Sequence, residues 1–311
     1  MKVVVTGATG HLGPHVVERL LAGGHEVIAA SRSGSVPRTR SSSELAGKVQ
    51  GLALDLRQDS AVSVLRAQLS PGSALVHLAA ERPSAATSVD DRERLLSLNI
   101  HGTMRVLEAA RSAISGAHPV VYACDAEVYG PSAPGELLDE ESPLRPASDY
   151  AASKLSGEDH LFAFEFEEQT RCVSLRLGAL YGPGRRELDS LSSLLRPSAE
   201  PAPRVLRAHA HELRARVHVR DAASAIERAL LGSAQGRFNV ADGQALPLQQ
   251  EVRLALEIAN APGAIRFEEP ARRPLQLTLE LRRAREELDF CPRFSLADGL
   301  REEAIGALGG S

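Results

Sequence analysis

The sequence predicts an α/β protein: a doubly wound parallel sheet with a smaller C-terminal lobe. Three observations carry that expectation. The chain opens on a β-branched run, Val3-Val4-Val5-Thr6, that breaks into glycines at 7, 10 and 13 and then into apolar residues at helical spacing. Short apolar runs then alternate with helix-spaced segments as far as Val240, the pattern of strands and crossover helices in a parallel sheet. After Leu177 an irregular stretch rich in Pro, Ser and Arg interrupts the alternation. Two lobes are therefore expected, residues 1–178 with 214–240 forming the sheet domain and 179–213 with 241–311 the smaller one.

The first helix is expected from Leu12 to Leu21, ended by Gly23-Gly24, and the second strand from Glu26 to Ala30. Ser33 to Ser43, rich in Ser, Arg, Gly and Pro, reads as an exposed loop. A third strand (Val49 to Leu54), a helix (Ser60 to Leu69) and a fourth strand (Ala74 to Leu78) follow. One helix from Asp91 to Ala113 leads to a fifth strand, Pro119 to Cys124. The next segment, Pro131 to Ser148, carries Pro131, Pro134, Pro143 and Pro146 and fits neither strand nor helix. Tyr150 to Gln169 returns to helix and Arg171 to Leu177 to strand, and from Gly182 to Leu213 the pattern degrades. Regularity resumes with Val217-His218-Val219, helix Asp221 to Leu231, strand Arg237 to Val240, helix Leu248 to Ala259 and strand Ala264 to Phe267. Thr278 to Leu288 and Leu296 to Ala307 are again helical in spacing. Ligands of such a sheet collect at the carboxyl ends of its strands, where Gly7, Arg32, Asp55, Ala79 and Asp125 fall.

Composition narrows the classes of function. The net charge is −4 with both signs interspersed, so no basic face suits nucleic acid. The apolar stretch at the start is too short for a signal segment, and no run approaches the length of a membrane span. Cys124, Cys172 and Cys291 form no CxxC pair, which fits a reducing compartment, and a cytoplasmic protein is expected. His209-Ala210-His211 has no third ligand nearby, so no metal site is expected.

Two constellations carry chemistry. Glycines at 7, 10 and 13 let the backbone turn tightly, approach a pyrophosphate and seat the helix on the sheet, while the helix's free N–H groups attract the anion. Glycine also serves plain loop geometry, but a turn after the first strand of a parallel sheet points to a dinucleotide. The second constellation is Tyr150 with Lys154, one turn apart on one helix face. A nearby ammonium favours phenolate, drawing a phenol down from about 10 so that it can exchange a proton with an alcohol or carbonyl. In a chain with four tyrosines and three lysines, that spacing is an uncommon accident.

In order along the chain stand Thr6-Gly7-Ala8-Thr9-Gly10-His11-Leu12-Gly13, Asp55-Leu56, His77-Leu78-Ala79-Ala80, Asn99 with Gly102-Thr103, and Val128-Tyr129-Gly130. Then come Tyr150 with Lys154, Tyr181-Gly182-Pro183-Gly184, His218-Val219 with Asp221, Phe238-Asn239-Val240, and Glu287-Leu288 followed by Pro292 and Asp298-Gly299-Leu300. With this series the chain resembles an extended short-chain dehydrogenase/reductase of the NAD-dependent epimerase/dehydratase family, over nearly its whole length. The resemblance implies a Rossmann fold, a soluble homodimer built through helices such as Asp91 to Ala113 and Tyr150 to Gln169, and a nucleotide-sugar or related polyol-ketone substrate. It implies that the cofactor meets Gly7, Thr9, Gly10, His11, Leu12, Gly13, Ser31, Arg32, Asp55, Leu56, Leu78, Ala79, Ala80 and Asn99. Asp55 would touch the adenine, Lys154 would hold the nicotinamide ribose besides tuning Tyr150, and Arg214 would meet a substrate phosphate.

Departures from the family pattern sharpen the expectation. Relatives that prefer NAD usually carry an acidic residue at the end of the second strand, where this chain has Ser31-Arg32. NADP is therefore favoured over NAD. Asp125 stands where the family has a Ser or Thr that hydrogen-bonds the reacting oxygen. An ionised Asp125 opposes a phenolate, so ketone reduction by a protonated Tyr150 would suffer less than alcohol oxidation. A protonated Asp125 could donate as the lost hydroxyl does. Glu127 matches the glutamate of dehydratases, but their partner acid is Ala126 here, and Ala179 replaces an asparagine that contacts nucleotide sugars in relatives. The chain is thus expected to be an NAD(P)-dependent oxidoreductase acting on a secondary alcohol or ketone, with Tyr150, Lys154 and Asp125 catalytic and Glu127 and Arg214 on the substrate side. Net reduction is favoured. The alternatives are a nucleotide-sugar epimerase and a catalytically impaired cofactor-binding protein in which Asp125 points away.

Overall fold

The computed structural model describes residues 1–37, 48–82, 88–111, 113, 119–184, 190–195, 204–260 and 265–308. Seven strands make one sheet: β1 (Lys2–Thr6), β2 (Glu26–Ser31), β3 (Val49–Ala53), β4 (Ser73–His77), β5 (Val120–Asp125), β6 (Cys172–Leu177) and β7 (Gly236–Val240). Their spatial order is β7-β6-β5-β4-β1-β2-β3, and every pairing is parallel. The chain winds outward from β1 in one direction and then restarts at β4 in the other, so a crevice opens between the ends of β1 and β4. The central strands read as continuous apolar runs because helices cover both faces: Val3 and Val5 face one core layer and Val4 the other.

Helices α1 (Gly13–Ala22), α2 (Ala61–Arg66), α3 (Val89–Leu96), α4 (Thr103–Ala110) and α5 (Asp149–Glu168) belong to this domain. Valines 16 and 17 and leucines 20 and 21 of α1 enter the layer that also takes Ala222, Ala225 and Ile226 of the helix Val219–Leu231. A third cluster, including Tyr181, Leu191, Leu194, Leu248, Val252 and Leu300, lies in the C-terminal part of the chain.

Three expectations require correction. The segment Asp91 to Ala113 is not one helix: α3 begins at Val89 under a Ser88–Asp91 capping box, and a π-helical segment, Ser97–Gly102, separates it from α4. The Pro-rich loop contains a two-residue strand, Leu137–Leu138, paired with Thr278–Leu279, so Thr278 is strand and the helix begins only at Arg282. Local periodicity could not see a pairing between residues so far apart. The irregular stretch holds a helix, Ser190–Leu194, and a strand, Arg204–Leu206, that pairs with Ile265–Phe267. Asp125 closes β5, at the strand end where it was expected. Ala264, residues 38–47 and with them the end of the loop Ser33 to Ser43 lie outside the described residues.

The opening turn shows why glycine is required there. Gly7 has φ of 71°, and a Cβ on it would sit 2.6 Å from the Ala79 nitrogen. At Gly13 a Cβ would lie 2.3 Å from the Ala8 carbonyl oxygen, a backbone atom that cannot swing aside. Gly13→Ala is expected to lose about 1–3 kcal/mol of stability, read from denaturant unfolding, since overpacking is relieved only by backbone shifts.

Candidate functional site

Because the strands are parallel and in register, their carboxyl ends bring three loops to one crevice. The β1 turn carries Gly7, Thr9 and Gly10, the β4 end carries Leu78, Ala79 and Ala80, and β5 ends on Asp125. Gly10 N–H donates to Gly7 O at 3.0 Å, and Ala8 N–H to Ala30 O at 3.2 Å, closing the turn. Neither a side-chain cap nor an acidic residue occupies the first turn of α1. Its amides and the bare glycine backbone therefore fit an anionic pyrophosphate. Leu12 and Leu56 have buried side chains in the two core layers, so they can face a ligand only through their backbone. His11 donates from Nε2 to Gly182 O at 3.1 Å, tying the turn to the segment after β6.

At the adenosine end, Ser31 is buried and its hydroxyl donates to Ser35 O at 3.4 Å, while Arg32 is exposed. Asp55 accepts from Arg57 Nε at 2.9 Å and from Arg57 Nη2 at 2.8 Å. Those bonds, with the Arg57 amide, the Arg57 charge and a smaller effect of Arg32, hold its carboxyl below the usual range against burial. Arg57 is a partner that sequence spacing did not reveal.

Tyr150 enters on the first turn of α5, which Ser148 caps by accepting from the Ala151 amide at 3.1 Å. Its hydroxyl donates to Asp125 Oδ2 at 3.2 Å. Asp125 Oδ1 accepts from the Glu127 amide at 2.8 Å, so the carboxylate faces the phenol rather than away from it. Arg82, from the loop after β4, pairs with Glu127 and reaches Asp125 Oδ2 at 3.5 Å, with its guanidinium 4.7 Å from the Tyr150 ring centroid. Arg82 went unnoticed in the sequence because nothing local marks one arginine among so many.

Lys154 is buried one turn further along α5, with Nζ 4.2 Å from the centroid of the Tyr122 ring. Burial pushes its ammonium down to about 8, against the charges of Cys124, Asp125 and Glu158. The phenol as a whole is not drawn below its usual range: Tyr150 is held well above its usual 10.0, first by burial and next by Asp125, with Arg82 opposing, the direction expected of an ionised Asp125 beside it. Asp125 is itself raised by burial and by Glu127, and lowered by Arg82 and less by Lys154.

Asn99 sits in the π-helical segment and clamps the backbone of one residue on both sides: it accepts from Glu81 N–H at 2.8 Å and donates to Glu81 O at 2.9 Å. The same amide donates to Ser153 Oγ at 2.9 Å, and Ser153 donates to Tyr150 O at 2.7 Å. The helical irregularity thus locks together the loop that carries Arg82 and the turn that carries Tyr150.

Arg214 is not among these groups. It donates to Glu212 Oε1 at 2.6 Å, and Glu212, fully buried, also receives Arg272 at 2.8 Å. His209 lies 2.7 Å from Arg272 O, and among the described residues no cluster could hold a metal ion.

The model of the NAD dependent epimerase/dehydratase family matches residues 3–241. The chain belongs to that family. It is an NAD(P)-dependent enzyme of the extended short-chain dehydrogenase/reductase type. The UDP-glucose 4-epimerase of Mycolicibacterium smegmatis is 32% identical over 309 residues, covering 96% of each chain. The dTDP-4-dehydro-6-deoxy-D-allose reductase of Streptomyces bikiniensis is 28% identical, covering 97% of this chain and 94% of the relative. The solved structure of the Thermus thermophilus UDP-glucose 4-epimerase in complex with NAD superposes with a TM-score of 0.80 at 28% identity, covering 100% of both.

The buried ammonium has a thermodynamic signature. Between about 8 and the ordinary 10.5 the unfolded chain binds more protons at Lys154 than the folded one, so the contribution of Lys154 to stability rises with pH there and its slope vanishes below both values. The difference in denaturant-unfolding stability between the wild type and Lys154→Met should therefore grow in favour of the wild type across that window.

Proposed function

We propose that this protein moves hydride between a nicotinamide dinucleotide and a secondary alcohol or ketone of a nucleotide sugar, with ketone reduction the favoured direction. The observation that carries the reading is the Tyr150 hydroxyl donating to Asp125 at 3.2 Å in the crevice beside the glycine turn. A phenol kept protonated by burial and by a neighbouring carboxylate is a proton donor, which is what a ketone oxygen needs as it becomes an alkoxide. Gly7, Gly10, Gly13 and the first turn of α1 would hold the pyrophosphate, and Lys154 the nicotinamide ribose. The cofactor supplies or takes the hydride. Tyr150 delivers the proton, Asp125 orients it, and Glu127 meets the sugar. Arg214, presented by Glu212, would receive the phosphates.

Epimerisation is the second reading, favoured by the likeness to the M. smegmatis UDP-glucose 4-epimerase. The two readings differ in the fate of the cofactor. A reductase consumes NADPH in step with product, whereas an epimerase interconverts sugars with no net change at the nicotinamide band. A catalytically silent protein would bind cofactor and show neither.

NADP is proposed over NAD, because the end of β2 offers Ser31 and an exposed Arg32 and no carboxylate to accept from a ribose hydroxyl. A homodimer is proposed through the groove between α4 and α5, lined by Met104, Leu107, Ala163 and Phe164.

Three measurements test these statements. Titration with NAD, NADH, NADP and NADPH should show tighter binding of the phosphorylated pair, and Arg32→Asp should reverse the order by roughly 10- to 100-fold, the worth of one charge-assisted contact. With UDP-glucose and dTDP-4-keto sugars as substrates, Tyr150→Phe should lose about 100- to 10,000-fold in turnover while keeping cofactor affinity. Sedimentation should find a dimer that Met104→Glu splits.

A further inference from the structure

We propose that Arg82 is a positioning residue of the catalytic crevice: it holds Asp125 and Glu127 as a pair of anions and thereby aims the Tyr150 hydroxyl. The proposal rests on the functional reading above for its catalytic consequence, but its physical content concerns only the charged groups around the phenol.

Two carboxylates stand two residues apart, Asp125 on the last residue of β5 and in contact with the Tyr150 hydroxyl, and Glu127 in the turn that follows. Their side chains are 14% and 21% exposed, so solvent screens them weakly. Such a pair does not stay doubly ionised in a partly dry crevice without a cation. Lys154 is near but lies against the Tyr122 ring. Arg82 contacts both, pairing with Glu127 and reaching Asp125 Oδ2 at 3.5 Å. Its planar fork can address two carboxylates at once, which an ammonium on a flexible stem does less well.

Placement supports the assignment as strongly as charge does. The side chain is half exposed, at 50%, so it does not pack the core. Its backbone is nonetheless fixed, because Asn99 grips both the N–H and the C=O of the preceding residue, Glu81. The guanidinium then lies over the Tyr150 ring at 4.7 Å, on the same phenol whose hydroxyl donates to Asp125. An ionised Asp125 can only accept, which draws the Tyr150 proton toward it. Once protonated, it would compete with the phenol as a donor, and the Tyr150 proton would lose its direction. The charged groups that bear on the phenol are Asp125 at the end of β5, Glu127 in the next turn, Arg82 from the β4 loop and, through Asp125, Lys154 from α5 itself.

The test removes the cation without filling the crevice differently. Arg82→Met, Arg82→Gln and Arg82→Lys are compared with the wild type by infrared difference spectroscopy at neutral pH and by pH–rate profiles with UDP-glucose and dTDP-4-keto sugars. Arg82→Met and Arg82→Gln should each gain a protonated-carboxyl band that the wild type lacks and that Asp125→Asn removes in the double variant. Their rate profiles should move by about one pH unit or more, and Arg82→Lys should recover part of both effects. Because the side chain is half exposed, thermal unfolding of these variants should stay close to the wild type. Spectra and profiles identical to the wild type in Arg82→Met and Arg82→Gln would overturn the proposal. If the wild type turns over no nucleotide sugar, the functional reading fails, and the carboxyl band still decides the role of Arg82.

Discussion

A missing side chain makes this site possible. Gly7 has no Cβ, and the turn after β1 can therefore lie directly against the Leu78–Ala79 peptide at the end of β4, where any Cβ would stand 2.6 Å from a backbone nitrogen. β1 and β4 are the two strands at which the winding of the sheet changes direction. Their contact sets the floor of the crevice, and everything that faces a dinucleotide or its substrate is measured from it. Gly13 extends the same constraint to α1, since close packing on the Ala8 carbonyl keeps the first turn of the helix aimed at the crevice.

Upon that floor the site is a problem in charge. Lys154 is buried against Tyr122, Asp125 accepts from Tyr150, and Arg82 reaches Asp125 and pairs with Glu127 from the opposite loop. Each ion in a weakly hydrated crevice needs a partner, and removing one leaves another unpaired at a cost well above that of a surface pair. A carboxylate beside the phenol therefore adds to burial in keeping Tyr150 protonated and makes the site depend on a cation from elsewhere in the chain. Family membership describes the scaffold and the class of chemistry, whereas the charges around the phenol are read from this chain's own contacts.

The π-helical segment links the two halves of the problem. A regular helix from Asp91 to Ala113 would have no need to break at Ser97, and local spacing gives no reason for it to do so. The extra width lets Asn99 reach Glu81 on one side and Ser153 on the other. One irregular turn thus fixes both the Arg82 loop and the Tyr150 turn, and irregular helical turns of this kind recur at functional sites.

By itself the sequence determined the sheet class, the glycine turn, the Tyr150–Lys154 spacing and the unusual acid at 125, because each is written in residues close together along the chain. Strand alternation, helix period and the need for glycine at a tight turn are local physics and survive without coordinates. What only the tertiary structure decided was who partners whom: that the Tyr150 hydroxyl donates to Asp125, that Arg57 occupies Asp55, that Glu212 gathers Arg214 and Arg272, and that Leu137–Leu138 finds Thr278–Leu279. Electrostatic energies depend on distance in space and on exposure to water, and neither follows from distance along the chain when the partners come from different strand ends.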